Sequence, residues 1–171
     1  FFNTYTSGAD LLVYVWSTWF FDHNVANGLT AVLWNHEQYW PMGFNMLFHN
    51  YAIAHAILAH TLKPLLGFTA SFNIAQLFSI VMGAYGTFLF ARTLSCTMGP
   101  SLLLGFLVSF NPYVMSLSDM GFNGYWPLIF FIRHFYIATK NTDPKNFFLA
   151  ALFLVLCWLY SAYYLIFGCL F

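Results

Sequence analysis

Uncharged stretches long enough to cross a membrane dominate the second half of this chain. The 171 residues include five acidic and five basic side chains, so charged residues make up 6%, against about 25% in soluble domains. The stretches 72–91, 93–118 and 146–171 contain no charged residue. A helix of about 20 apolar residues crosses the hydrocarbon core of a bilayer. The sequence therefore predicts an all-α, polytopic membrane helix bundle.

The N-terminal segment, residues 1–70, differs in composition from the rest of the chain. Residues 11–25 predict a helix that Asp10 is placed to cap, and its many aromatic rings favour the membrane interface. Residues 50–66 are also helical in pattern but short for a membrane crossing, and they include Lys63. We predict that these two helices are membrane-parallel. Four transmembrane helices are expected to follow, at about 72–91, 99–117, 124–139 and 146–170.

The positions of Lys and Arg predict the sidedness of the chain, because these residues prefer the cytoplasmic side of a membrane. With four transmembrane helices, Arg92, Lys140 and Lys145 fall on one side, which we assign to the cytoplasm. Residues 1–70 are then extracytoplasmic. A full crossing by residues 50–66 would invert this arrangement, so we favour a peripheral or re-entrant placement for them.

Composition also bounds the partners of the chain. Its net charge is zero, which excludes the basic footprint that nucleic-acid recognition needs and leaves membrane lipids as expected partners. The three cysteines form neither a CxxC pair nor a disulfide framework and read as buried apolar groups. The chain begins at Phe1 without a signal-peptide pattern and is still apolar at Phe171. We therefore expect a fragment of a longer protein; its oligomeric state stays open.

Carboxylates are the leading candidates for chemistry. The first 40 residues contain Asp10, Asp22 and Glu37 but no Lys or Arg. Like charges at a membrane surface cost stability unless a metal, a proton or a cationic ligand offsets them. Asp10 is the candidate catalytic residue, as a general base or a ligand of a divalent cation, with a simple helix cap as the alternative. Candidates for assisting Asp10 or binding the metal are Asp22, Glu37 and Asp119. The alternative is that these three are solvated acids in loops.

Histidines are also concentrated in the N-terminal segment, which holds five of the six. No spacing such as HExxH signals a metal site, so we interpret them as interfacial polar groups. His23 and His36, together with Lys63, are candidates for contacts to an anionic ligand. His55 and His60 are five residues apart and are expected to point to different faces of their helix.

Five short motifs follow one another along the chain. They are SGAD at 7–10, YWPMGFN at 39–45, SFNPY at 109–113, GFNGYWPL at 121–128 and SAYYLIF at 161–167. In this order and spacing, the chain resembles the N-terminal part of bacterial multispanning membrane proteins of the GT-C glycosyltransferase type. The resemblance covers nearly all of the chain. It departs at Gly121-Phe122, where several relatives have Gly-His.

The resemblance implies transfer of a sugar from a polyprenyl-phosphate-linked donor to an acceptor at the outer leaflet of the bacterial inner membrane. It implies a catalytic acid at Asp10, which would deprotonate the acceptor hydroxyl or hold Mg²⁺ or Mn²⁺ against the donor phosphate. Lys63 is the only outer base in the sequence for that phosphate, so we expect either a metal to hold the phosphate or a missing C-terminal part to supply the cations. The alternative is a non-catalytic membrane protein or transporter component in polysaccharide or lipid export. That alternative predicts separated outer acids and no cavity between residues 1–70 and the transmembrane helices.

Overall fold

The computed structural model describes residues 11–37, 40–46, 51–112, 114 and 124–170. The described chain is mostly helical, which confirms the predicted all-α class. Its helices are α1 (Leu11–Asn24), α2 (Leu29–Leu33), α3 (Ile53–Leu66), α4 (Phe68–Thr93), α5 (Met98–Ser109), α6 (Trp126–Asn141), α7 (Pro144–Tyr160) and α8 (Ala162–Cys169).

A small hairpin follows the first two helices. Strand β1 (Trp34–Asn35) pairs antiparallel with strand β2 (Phe44–Asn45), with Trp34 opposite Asn45. Gly43 precedes β2 with φ 74°, and a Cβ added to it would lie 2.6 Å from Nε1 of Trp34. Both the left-handed backbone and the close ring require glycine at this position.

Helix α4 is central to the helix packing. It contacts α3, α5 and α6, while α6 packs against α7 and α1 packs against α3. Two buried glycines on α4 allow the close approach of α6: a Cβ at Gly83 would lie 2.6 Å from the hydroxyl of Tyr125, and one at Gly86 2.9 Å from the ring of Phe130. Small residues permit such close helix pairs.

Two helices end earlier than the sequence predicted, each at a polar residue. Helix α5 ends at Ser109, because Asn111 accepts a local hydrogen bond from the backbone of Val114 at 2.9 Å and precedes a proline. The predicted 146–170 helix is two helices, α7 and α8. The break between them is at Ser161, whose backbone is extended, with φ −167° and ψ 133°.

Helix α4 is also the longest apolar element. Among the residues that the structure describes, it is the one helix long and apolar enough to cross a membrane, judged by length and composition alone. Helices α3, α5 and α7 are apolar but shorter. Large apolar side chains are exposed along α5 and α7, among them Leu103, Phe106 and Val155. An exposed apolar surface of this kind needs a cover, either lipid or protein.

Candidate functional site

A cluster of three polar side chains joins α1 to α3. Oδ1 of Asp22 lies 2.8 Å from Nδ1 of His60, and Oδ2 of Asp22 lies 2.5 Å from Nζ of Lys63. His60 and Lys63 are three residues apart and so share one face of α3. The Asp22 side chain is only 9% exposed, whereas those of His60 and Lys63 are 43% and 45% exposed. We refer to these three residues as the Asp22 cluster.

The carboxyl group of Asp22 is held in its ionised form. Burial acts to raise its pKa, but the hydrogen bonds from Lys63 and His60 and their positive charges outweigh burial, and the net shift is downward. An ionised carboxylate only accepts hydrogen bonds, so Nδ1 of His60 must donate to it. The other ring nitrogen of His60, Nε2, is then available as an acceptor when the imidazole is neutral.

Replacing Asp22 by Asn should lower the free energy of unfolding at neutral pH by about 1 kcal/mol, as for a half-exposed ionic hydrogen bond. The pKa of Asp22 is lower in the folded chain than its ordinary value of 3.8. Its stabilisation is therefore complete above that value and is lost as the pH falls through the folded-state pKa. Thermal unfolding in detergent, compared at neutral and acidic pH, checks this. If the free energies of unfolding of the wild type and the variant differ by the same amount at both pH values, the carboxylate charge is not the source of that difference.

An apolar cavity of about 390 Å³ opens beside the cluster. Its walls come from four helices: Phe21 of α1, Val32 of α2, Ile57 of α3 and Trp158 of α7. The cavity thus lies between the N-terminal helices and the end of α7. Ligand pockets commonly have volumes of about 300–1,000 Å³, so this cavity has room for part of an apolar molecule.

Residues next to the members of the Asp22 cluster line the cavity. Phe21 lines the cavity, precedes Asp22 in α1 and contacts the ring of His60 edge-on, with centroids 6.0 Å apart. Ile57 lines the cavity one helical turn before His60. The cavity is therefore lined by sequence neighbours of the Asp22 cluster, although none of the three cluster residues lines it.

Tyr51 lines the cavity with a side chain whose hydroxyl is itself buried. The residue is buried, and its hydroxyl has no hydrogen-bond partner among the described residues. Burial raises its pKa, so the phenol is neutral. Leaving a buried hydroxyl without a partner costs free energy.

The other predicted site residues lie elsewhere. Asp10 and Asp119 fall outside the described residues. His23 is exposed and stacks on Trp19, with ring centroids 5.2 Å apart. His36 and Glu37 are exposed residues that follow β1. Of the candidates within the described ranges, the structure brings Asp22 and Lys63 together.

The described part of the chain contains no group of side chains suited to hold a metal ion. No set of three or more His, Cys, Asp or Glu side chains there is arranged to hold an ion. Both carboxylate oxygens of Asp22 already accept hydrogen bonds. Mg²⁺ or Mn²⁺ binding stays a prediction, and the roles we give the described residues do not depend on it.

The sequence did not predict the role of His60 or the burial of His55. His55 is fully buried on α3 and meets the ring of Phe72 edge-on, with centroids 5.1 Å apart. Burial lowers its pKa to about 3, so it is a neutral core residue. The spacing of His60 and Lys63 on one helix was a visible signal, but nothing local pointed to Asp22 as their partner.

Comparison with protein-family profiles, curated protein sequences and solved structures found no match to this chain. The resemblance to GT-C glycosyltransferases therefore stays a prediction. The observations that bear on the function are the cavity and the Asp22 cluster.

Proposed function

We propose that the protein is an integral membrane glycosyltransferase that uses a polyprenyl-phosphate-linked sugar at the outer leaflet of the bacterial inner membrane. The observation that carries this proposal is the apolar cavity beside the Asp22 cluster. A lipid-linked sugar joins an apolar isoprenoid tail to a charged phosphate and a polar sugar. The cavity suits the first part of such a molecule, and the cluster suits the second.

In this proposal, α4 crosses the membrane and the shorter α5, α6 and α7 pack beside it in a polytopic bundle, while α1–α3 lie at its outer surface. The distribution of basic residues supports the arrangement. Arg92 is in the last turn of α4, Lys140 is in the last turn of α6, and Lys145 is in the first turn of α7. These three helix ends belong to one side of an up-and-down bundle, and basic residues favour the cytoplasmic side.

The cavity falls on the opposite side of such a bundle. Trp158 lies near the C-terminal end of α7, while Lys145 lies near its N-terminal end. With Lys145 in the cytoplasm, Trp158 reaches the outer interface, where tryptophan is favoured. The cavity then opens at the leaflet in which the donor is proposed to be held.

The cluster supplies one fixed cation for the donor phosphate. Nζ of Lys63 is bound to Asp22, and the Lys63 side chain is 45% exposed, so in this proposal it contacts a phosphate oxygen while keeping its carboxylate partner. Asp10 retains its proposed role as base or cation ligand. The non-catalytic alternative predicts no cavity at this place, so the cavity supports the transferase, and a transfer assay decides between the two.

Photolabelling tests whether the cavity takes the donor. A polyprenyl phosphate with a diazirine in its first isoprene units would be irradiated with the purified protein, and the labelled peptides identified by mass spectrometry. We expect label on peptides that contain Phe21, Ile57 or Trp158, with competition from unlabelled polyprenyl phosphate. Label on the exposed apolar face of α5, or label that unlabelled polyprenyl phosphate does not compete, would contradict the proposal.

A further inference from the structure

We propose that His60, oriented by Asp22, is a general base that accepts the proton of the acceptor hydroxyl at Nε2. This inference rests on the proposed sugar transfer and names a catalytic residue that the sequence did not indicate. Asp22 is the positioning residue of the pair. Its role differs from that of Asp10, which was assigned from the resemblance alone.

The hydrogen bond between the two side chains sets the orientation of the imidazole. Nδ1 of His60 is 2.8 Å from Oδ1 of Asp22, so the proton of the neutral ring stays on Nδ1 and the lone pair is on Nε2. A carboxylate that accepts from one ring nitrogen fixes the tautomer and stabilises the imidazolium that forms when the other nitrogen takes a proton.

Asp22 and His60 differ in their exposure to solvent, which assigns them different roles. Asp22 is almost covered, and both its oxygens are occupied by His60 and Lys63. It therefore has little access to a substrate hydroxyl. The His60 side chain is 43% exposed, so a substrate can reach its ring. Of the two, His60 is the group that can meet an acceptor.

The charges that face His60 have opposite signs. Asp22 contributes one negative charge and Lys63 one positive charge, and Phe21 of α1 covers part of the ring edge-on. A neutral imidazole leaves the three side chains with no net charge. Taking up a proton produces a cation directly against the Asp22 carboxylate, which offsets it.

The proton transfer accompanies a balanced displacement. The acceptor oxygen forms a bond to the anomeric carbon of the sugar, and its proton moves to Nε2 of His60. The bond between that carbon and the phosphate oxygen breaks, and its electron pair leaves with the polyprenyl phosphate. His60 then releases the proton to water. No oxidant or further reactant is needed.

The coupling between His60 and Asp22 can be measured without any substrate. Diethyl pyrocarbonate modifies a neutral imidazole at its free nitrogen, and mass spectrometry can follow His60 separately from the exposed His36. At about pH 8, where imidazole is ordinarily neutral, Asp22→Asn should slow modification of His60 because the ring loses its carboxylate partner. Lys63→Met should leave it equal or faster, because Asp22 then interacts with His60 alone.

The result for Asp22→Asn separates activation from loosening of the α1–α3 contact. Loosening would accelerate modification of His60 in both variants, since both remove a bond to Asp22. Equal or faster modification in Asp22→Asn would overturn the proposed orientation.

The catalytic role is then tested by transfer. His60→Gln should lower kcat by about 100-fold or more with little change in KM, because a positioned general base contributes about 10²–10⁴ in rate. Thr61→Gln, at the adjacent exposed position of α3, is the matched control and should keep wild-type activity. Free imidazole should partly restore transfer by His60→Gly.

A His60→Gln variant with transfer within about threefold of wild type would overturn the proposal, since that is far below the contribution of a general base. If the wild-type protein transfers no sugar from any donor, the proposed function itself fails. The modification experiment then still decides whether Asp22 activates His60, so the two failures can be told apart.

Discussion

Replacing Gly105 by Val should destabilise the folded protein by about 1–3 kcal/mol, the usual cost of overpacking a close contact. Gly105 is buried on α5, and a Cβ added there would lie 2.6 Å from the backbone oxygen of Ala84 on α4. A backbone oxygen inside a helix cannot rotate away as a side chain can. The two helices would have to separate, which would loosen one of the main contacts of α4.

Gly99 offers a matched control for this substitution. It lies in the same helix, and a Cβ added to it would meet nothing within 4 Å. Gly99→Val therefore changes helix propensity without the clash. Thermal unfolding followed by circular dichroism in detergent should show a clearly lower Tm for Gly105→Val than for Gly99→Val. Equal Tm values for the two variants would contradict the close packing of α4 and α5.

Replacing Ile57 by Trp should lower photolabelling of the cavity by a polyprenyl phosphate at least about tenfold, which corresponds to about 1.4 kcal/mol of lost binding free energy. Ile57 lines the cavity and is 47% exposed, so a larger ring can be accommodated without distorting the core. The indole would occupy space that the isoprenoid tail needs. Labelling yield at a fixed probe concentration gives the comparison.

Leu65→Trp is the control for the cavity variant. Leu65 is on the same helix and 83% exposed, and it does not line the cavity. Its labelling should equal that of the wild type, because the added ring points away from the probe. An Ile57→Trp variant that labels as well as Leu65→Trp would show that the probe binds elsewhere.

The helical class was predictable because it depends on long uncharged stretches, which are visible in the sequence. The positions at which the helices end were less predictable. A stretch such as 93–118 is apolar throughout, but Asn111 and Pro112 terminate it through local hydrogen bonding and backbone restriction. The backbone is extended at Ser161, and no charge, glycine or proline marks this break in the sequence.

The site was less predictable than the fold because its parts come from distant segments. Asp22 was singled out as an acid without a basic neighbour, whereas in the folded chain it meets Lys63, 41 residues later. Its other partner, His60, is 38 residues away. Composition can show that such charges need partners, but tertiary packing selects them. The cavity likewise requires α1, α2, α3 and α7 to assemble.

Sugar transfer by the purified wild-type protein is the most direct measurement of the proposed function. The protein in lipid nanodiscs would be incubated with a panel of polyprenyl-phosphate-linked sugars and hydroxyl acceptors, and products followed by mass spectrometry. We predict a glycosylated acceptor and an equal amount of released polyprenyl phosphate from at least one donor. Competed labelling of the cavity without transfer from any donor would contradict a glycosyltransferase and favour a non-catalytic lipid-binding or export component.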